Sequence, residues 1–196
     1  MKKILFLIAF ILLTTSLRAE KVVATYMMSG MERNIEAGIN DRGVLSVYIQ
    51  VMGEYKSENV FVRVQGDADI NKFVAQLTYC KTKFIEWEEV AKKNNITDFK
   101  KEFDTTFPYV EIWWSGSKWY SSNKRNFIKP LFLVTDGKAA FGVGGEATHW
   151  DNQYIDQKFY LILTSIEEID SLINALDVTK INKVLNQDTQ ADALFK

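Results

Sequence analysis

The chain has 196 residues, 24 basic and 25 acidic side chains, one histidine and one cysteine. A single cysteine excludes an intramolecular disulfide and a cysteine-rich metal site, and a single histidine excludes a His-His metal pair within one chain. With acids in slight excess, nucleic acid and anionic membrane surfaces are poor partners, because both require clustered positive charge.

The first predicted element is Met1 to Ala19. Lys2 and Lys3 precede an unbroken apolar run from Ile4 to Leu13, and the segment ends in a small residue suited to cleavage. This pattern is expected of a secretory signal peptide. The run is well short of the roughly 20 residues that cross a bilayer, so no stable membrane insertion is expected once the peptide is removed. No cysteine stands at the cleavage point to carry a lipid anchor. The expected mature chain, 20–196, has 21 basic and 25 acidic side chains, a net charge of −4. It is expected to be exported, to the periplasm or outside the cell, and its 177 residues suffice for one domain with its own core.

Four strands are predicted next, near 22–29, 33–39, 43–52 and 59–65. Asp41-Arg42-Gly43 lies between two of them as a hairpin signal. A helix follows from Asp67 to Lys93, with Asp67 or Asp69 able to cap it; Ile70, Phe73, Val74 and Leu77 form its apolar stripe. Asn94-Asn95 ends that helix, and 96–103 reads as a short second helix before Phe107-Pro108 restarts extended structure.

Strands near 109–120, 128–135, 138–148 and 157–164 come next, with Asp136-Gly137 as a second hairpin signal. A helix from Ser165 to about Leu176 opens on a Ser165/Glu168 capping box. Asp177 to Leu185 adds a further helical turn or two, and the polar tail 187–196 is expected to be loosely held.

These elements repeat. FVRVQGDADINKFVAQLTYCK from Phe61 aligns without a gap with YLILTSIEEIDSLINALDVTK from Tyr160, in pattern more than in identity. Upstream, Arg33-Asn34-Ile35 matches Arg125-Asn126-Phe127, and Met27-Met28-Ser29-Gly30 matches Trp113-Trp114-Ser115-Gly116. The matches keep the same order, which favours tandem duplication over coincidence. The fold class expected is therefore α+β: antiparallel sheet, in one piece or two, with helices on one face. Two strand-strand-strand-helix halves, about 22–104 and 109–186, would be related by a pseudo-twofold axis within a single domain, 20–186.

No catalytic constellation stands out. His149 sits beside Asp151 in a loop, where a histidine is more often solvated than catalytic. Cys80 continues the apolar helical stripe and reads as a packing residue. The glycine-rich stretch from Phe141 to Glu146 lacks the Lys-Ser/Thr and the following helix of a phosphate-binding loop. No cofactor and no metal site is expected.

The candidate site is aromatic: Trp113, Trp119 and Tyr120 in one hairpin-like region, and His149, Trp150 and Tyr154 in a later loop. Alternation in 109–115 puts Val110, Ile112 and Trp114 on one face and Tyr109, Glu111 and Trp113 on the other, so one set is core. Aromatic rings beside polar groups suit a carbohydrate, a peptide or a protein partner. The function expected is a non-enzymatic extracytoplasmic binding or protein-interaction module. The alternatives are a hydrolase of envelope or extracellular polymer using paired carboxylates, and an inhibitor or immunity-type protein.

Overall fold

A computed structural model describes residues 20–54, 59–115, 119–122 and 128–194. The segment 1–19 and the second Arg-Asn match at 125–127 lie outside the described residues. Ten strands and three helices follow one another in the order β1 (Lys21–Met28), β2 (Met31–Ile39), β3 (Leu45–Gly53), β4 (Val60–Gln65), α1 (Asp67–Lys93), β5 (Asp98–Glu102), β6 (Glu111–Ser115), β7 (Trp119–Ser121), β8 (Leu131–Thr135), β9 (Lys138–Thr148), β10 (Asp156–Leu163), α2 (Ile166–Ala175) and α3 (Val178–Leu194). This is an α+β protein built on antiparallel pairing.

The strands form two runs, β1-β2-β3-β4-β6-β7 and β5-β8-β9-β10. β3 joins them. Its residues Leu45 to Ile49 pair with β2, whereas Met52 and Gly53 pair with Tyr160 and Phe159 of β10. At the far side the end of β7 returns to the end of β9 through the Ser122–His149 bridge. Backbone pairing therefore closes a circuit through β3, β4, β6, β7, β9 and β10, which protects edges that an open sheet would expose.

Both halves follow a hairpin-then-strand-then-helix order, but their first strands pair differently. β1 lies beside β2, while β6 crosses to β4 and β7. Two-residue turns join β1 to β2 and β8 to β9. Ser29-Gly30 and Asp136-Gly137 all have positive φ, the geometry that matches a hairpin's twist and that glycine and aspartate tolerate.

The core lies between the inward faces of the two runs and the helices. Val47, Ile49 and Val51 of β3, Val60, Val62 and Val64 of β4, and Phe159, Leu161 and Leu163 of β10 are buried at alternate positions. α1 buries Ile70, Phe73, Leu77, Cys80 and Phe84 along one stripe. Its aromatic rings meet those of the second run: Phe84 lies 5.6 Å from Phe132, and Trp87 stacks on Phe103 at 4.8 Å. Lys81 of α1 donates to both carboxylate oxygens of Asp170 on α2, at 2.7 and 2.6 Å.

Four local expectations are corrected. The segment 96–103 contains strand β5 instead of a short helix. Asn95, at φ 52°, turns the chain back after α1, and Asp98 to Glu102 then pair with Thr135 to Leu131 of β8. All five β5 residues are exposed, so no buried periodicity marked them, and the waiting edge of β8 decided their conformation. The expected strand 109–120 divides into β6 and β7, a hairpin. α1 is capped by Gly66 with no side-chain hydrogen bond, so neither Asp67 nor Asp69 serves. α3 runs as a helix to Leu194, well past Leu185.

The Ser165/Glu168 motif is realised in half. Ser165 Oγ accepts the Glu168 N–H at 3.2 Å, but the Glu168 carboxylate turns away to accept from Thr164 N at 2.6 Å and Gly30 N at 2.7 Å.

Candidate functional site

The β9–β10 connection, residues 149–155, is held by its own backbone. His149 N donates to Ile155 O at 2.8 Å, Ile155 N to Asn152 O at 3.1 Å, and Tyr154 N to Asn152 Oδ1 at 3.0 Å. An Asn side chain accepting from the backbone two residues on is a common way to build a tight turn. The loop is also stitched to β7, since Trp150 N donates to Ser121 O at 3.2 Å.

His149 anchors the loop from inside. Its side chain is only 8% exposed, and its Nδ1 lies 2.5 Å from Asp151 Oδ1. Asp151 N approaches the same Nδ1 at 3.4 Å. A carboxylate at 2.5 Å requires Nδ1 to carry the proton and donate it, so the longer amide contact is not a second hydrogen bond. The imidazole also lies in a T-shaped contact with buried Trp114, ring centroids 6.3 Å apart, and tilted against Trp150, centroids 6.2 Å apart. Ser122, the hydroxyl residue bridged to His149, is buried, and its Oγ accepts the Ile112 N–H at 2.9 Å. That hydroxyl ties the end of β7 to β6, a structural role, while the backbone of Ser122 makes the bridge to His149.

With the loop pinned in this way, its remaining aromatic rings stand in water. Trp150 is 58% exposed and Tyr154 86% exposed. Residues 148–154 line an open hollow of about 450 Å³, to which Thr148, Asp151, Asn152 and Gln153 bring polar side chains alongside Trp150 and Tyr154.

The structure brings together part of the expected aromatic set. His149, Trp150 and Tyr154 share the loop, and β7, which carries Trp119 and Tyr120, adjoins it through the Ser121 and Ser122 contacts. The side chains of Trp119 and Tyr120 lie outside the described residues. Trp113 points away from its buried neighbour Trp114, to the outer face of the first run of strands, as the alternation required.

There it belongs to a cluster that reading the sequence had not assembled. Arg63 Nη1 pairs with Glu111 Oε2 at 2.5 Å, and its guanidinium donates to Ser46 Oγ and lies 5.8 Å from the rings of both Tyr48 and Trp113. Trp113 Nε1 donates to the same Glu111 oxygen at 3.2 Å. The only signal in the sequence was the register: Tyr48 pairs with Arg63, and Arg63 with Glu111, across three adjacent strands. The row continues to Glu36, opposite Tyr48 on β2. Burial, reinforced by the Glu20 carboxylate, raises the Glu36 pKa above the ordinary range. Burial likewise raises the Tyr48 hydroxyl, which hydrogen-bonds Glu20.

No protein-family model, no curated protein and no solved structure matches this chain. The chemistry of the residues therefore carries the functional argument. Among the described residues, no group of three or more His, Cys, Asp or Glu side chains is placed to hold a metal ion, and no helix is long and apolar enough to cross a membrane.

Proposed function

We infer that this protein is an exported binding module whose recognition element is the β9–β10 loop. The observation that carries the reading is the pairing of a rigid base with exposed rings: buried His149 fixes the loop, while Trp150 and Tyr154 project from it. A loop whose backbone is already held in place loses little backbone freedom when a ligand covers its rings, so more of the energy of burying them is retained as affinity. The signal-peptide pattern of 1–19 supports export, and the net charge of the expected mature chain supports a partner other than nucleic acid.

A second reading draws on the outer face of the first run of strands. Glu20 and Glu36 lie near one another there, and burial favours the protonated form of Glu36, as a general acid requires. This is the hydrolase alternative.

The test of the binding reading is retention. Fluorescently labelled protein is incubated with the surface fraction of the cells that produce it, beside a Trp150→Ala/Tyr154→Ala double variant with an unchanged circular dichroism spectrum. Retention falling at least tenfold in the variant supports the loop as the binding element. Equal retention of the two proteins refutes it.

A further inference from the structure

We propose that the hollow in the β9–β10 loop binds a neutral oligosaccharide; this rests on the loop being the recognition element. The argument comes from what a sugar ring offers and what the hollow contains. A pyranose presents C–H bonds on its faces and hydroxyls around its rim, each hydroxyl both a donor and an acceptor. Its complement is an aromatic face for the ring and planar polar groups for the rim.

The hollow has both. Trp150 and Tyr154 supply aromatic faces, and Asn152 and Gln153 supply amides that donate and accept. The turn uses Asn152 Oδ1 to accept from Tyr154 N, which orients the amide and leaves its Nδ2 hydrogens as donors. No aliphatic side chain lines the described wall, whereas a peptide or protein anchor typically inserts its side chain among such groups. The one carboxylate there, Asp151, is tied to His149 Nδ1, which limits its pull on a cationic ligand. A volume of about 450 Å³, open to solvent, falls within the range of small-ligand sites and leaves room for a chain to continue outward.

The test uses defined neutral probes. Cellohexaose, maltohexaose, xylohexaose and chitohexaose are titrated into the protein by calorimetry, with tryptophan fluorescence as a second readout. The expected result is saturable binding of at least one hexaose at micromolar to millimolar concentration. Trp150→Ala and Tyr154→Ala should each weaken it tenfold or more, with Tyr109→Ala, which lines a different hollow, within twofold of wild type. Each variant is first checked for an unchanged melting temperature.

Two results overturn the proposal. In one, no hexaose binds at 10 mM, a ceiling of about 2.7 kcal/mol on the standard affinity. If the protein is still retained on the cell surface through Trp150 and Tyr154, the loop reading stands and the saccharide assignment alone falls; without that retention both fall. In the other, a hexaose binds with equal affinity to the Trp150→Ala/Tyr154→Ala variant, which places the saccharide elsewhere.

Discussion

Glu168 Oε1 accepts the backbone N–H of Gly30 at 2.7 Å, tying the first turn of α2 to the β1–β2 hairpin across 138 residues of chain. The same carboxylate accepts from the N–H and the hydroxyl of Thr164. Ser29 Oγ reinforces the joint by donating to Ile162 O of β10 at 3.0 Å, and Met27 N donates to Ser171 Oγ of α2 at 3.2 Å. A buried carboxylate thus replaces the reciprocal half of a capping box with a long-range tie.

Burial by itself would raise the Glu168 pKa, but the backbone donors at Thr164, Gly30 and Ser29 outweigh it and hold the carboxyl below the ordinary range. A depressed folded-state pKa means that the carboxylate's contribution is complete above the unfolded value of 4.5 and is lost as pH falls through the folded one. Glu168→Gln should cost about 2 kcal/mol at pH 7, because a charged acceptor is removed from buried donors. Urea denaturation at pH 7 and at pH 3 checks this: the gap between variant and wild type should narrow in acid. A gap that stays constant with pH contradicts the account.

Glu36 has the opposite sign. Burial, then Glu20, raises its pKa, so its ionised form costs stability above the ordinary value of 4.5 and that cost fades as pH falls. Solvent screens the site, so Glu36→Gln should stabilise the fold at pH 7 by at most about 1 kcal/mol. Thermal melts at pH 7 should show a slightly higher Tm for the variant, with the difference vanishing near pH 4. On the hydrolase reading the same variant would abolish turnover of the cell-surface polymer, a separate readout in the same preparation.

Gly144 of β9 has no room for a side chain. A Cβ there would lie 3.0 Å from the Phe159 carbonyl oxygen and 3.0 Å from Tyr160 Cδ1. Tyr160 can swing aside, but the backbone of the paired strand cannot do so cheaply. Gly144→Ala should therefore destabilise by about 1 to 3 kcal/mol, the usual range for overpacking. At about 2–4 °C per kcal/mol for a chain of this size, the melting temperature should fall by several degrees. An unchanged Tm would mean that the two strands sit farther apart than described.

Cys80 is wholly buried on α1, and burial pushes its thiol up to about 12. The reactive thiolate is then scarce at pH 8, and reagent has no access. Ellman's reagent should leave the native protein essentially unlabelled over an hour and titrate one thiol once guanidinium unfolds it. Complete labelling of the folded protein within minutes would contradict the burial.

Much of the architecture was legible in the sequence. Apolar alternation marked β3, β4 and β10, and the i, i+3, i+4, i+7 stripe marked α1 and α2, because burying one face of a regular element leaves its period in the residues. The Asp136-Gly137 turn was readable for a similar reason: backbone at positive φ tolerates few residue types. β5 left no such trace, because a fully exposed edge strand buries neither face. The aromatic loop was visible as composition, yet which rings would be core and which would meet water was not. Trp113 and Trp114 are adjacent in sequence and face opposite ways, and Trp150 became a surface ring once its neighbour His149 was drawn inside.

The sequence by itself determined most of the element types, though not β5, together with the hairpin turns and the buried face of most strands, all of which depend on interactions within a few residues. Tertiary structure decided which strands became neighbours, the closure of β7 onto β9 through Ser122 and His149, and the placing of Tyr48, Arg63, Glu111 and Trp113 in one cluster. Those choices rest on contacts between distant segments. Many pairings satisfy the same local pattern, and only the packing of the whole core, with most buried polar groups finding partners, selects among them.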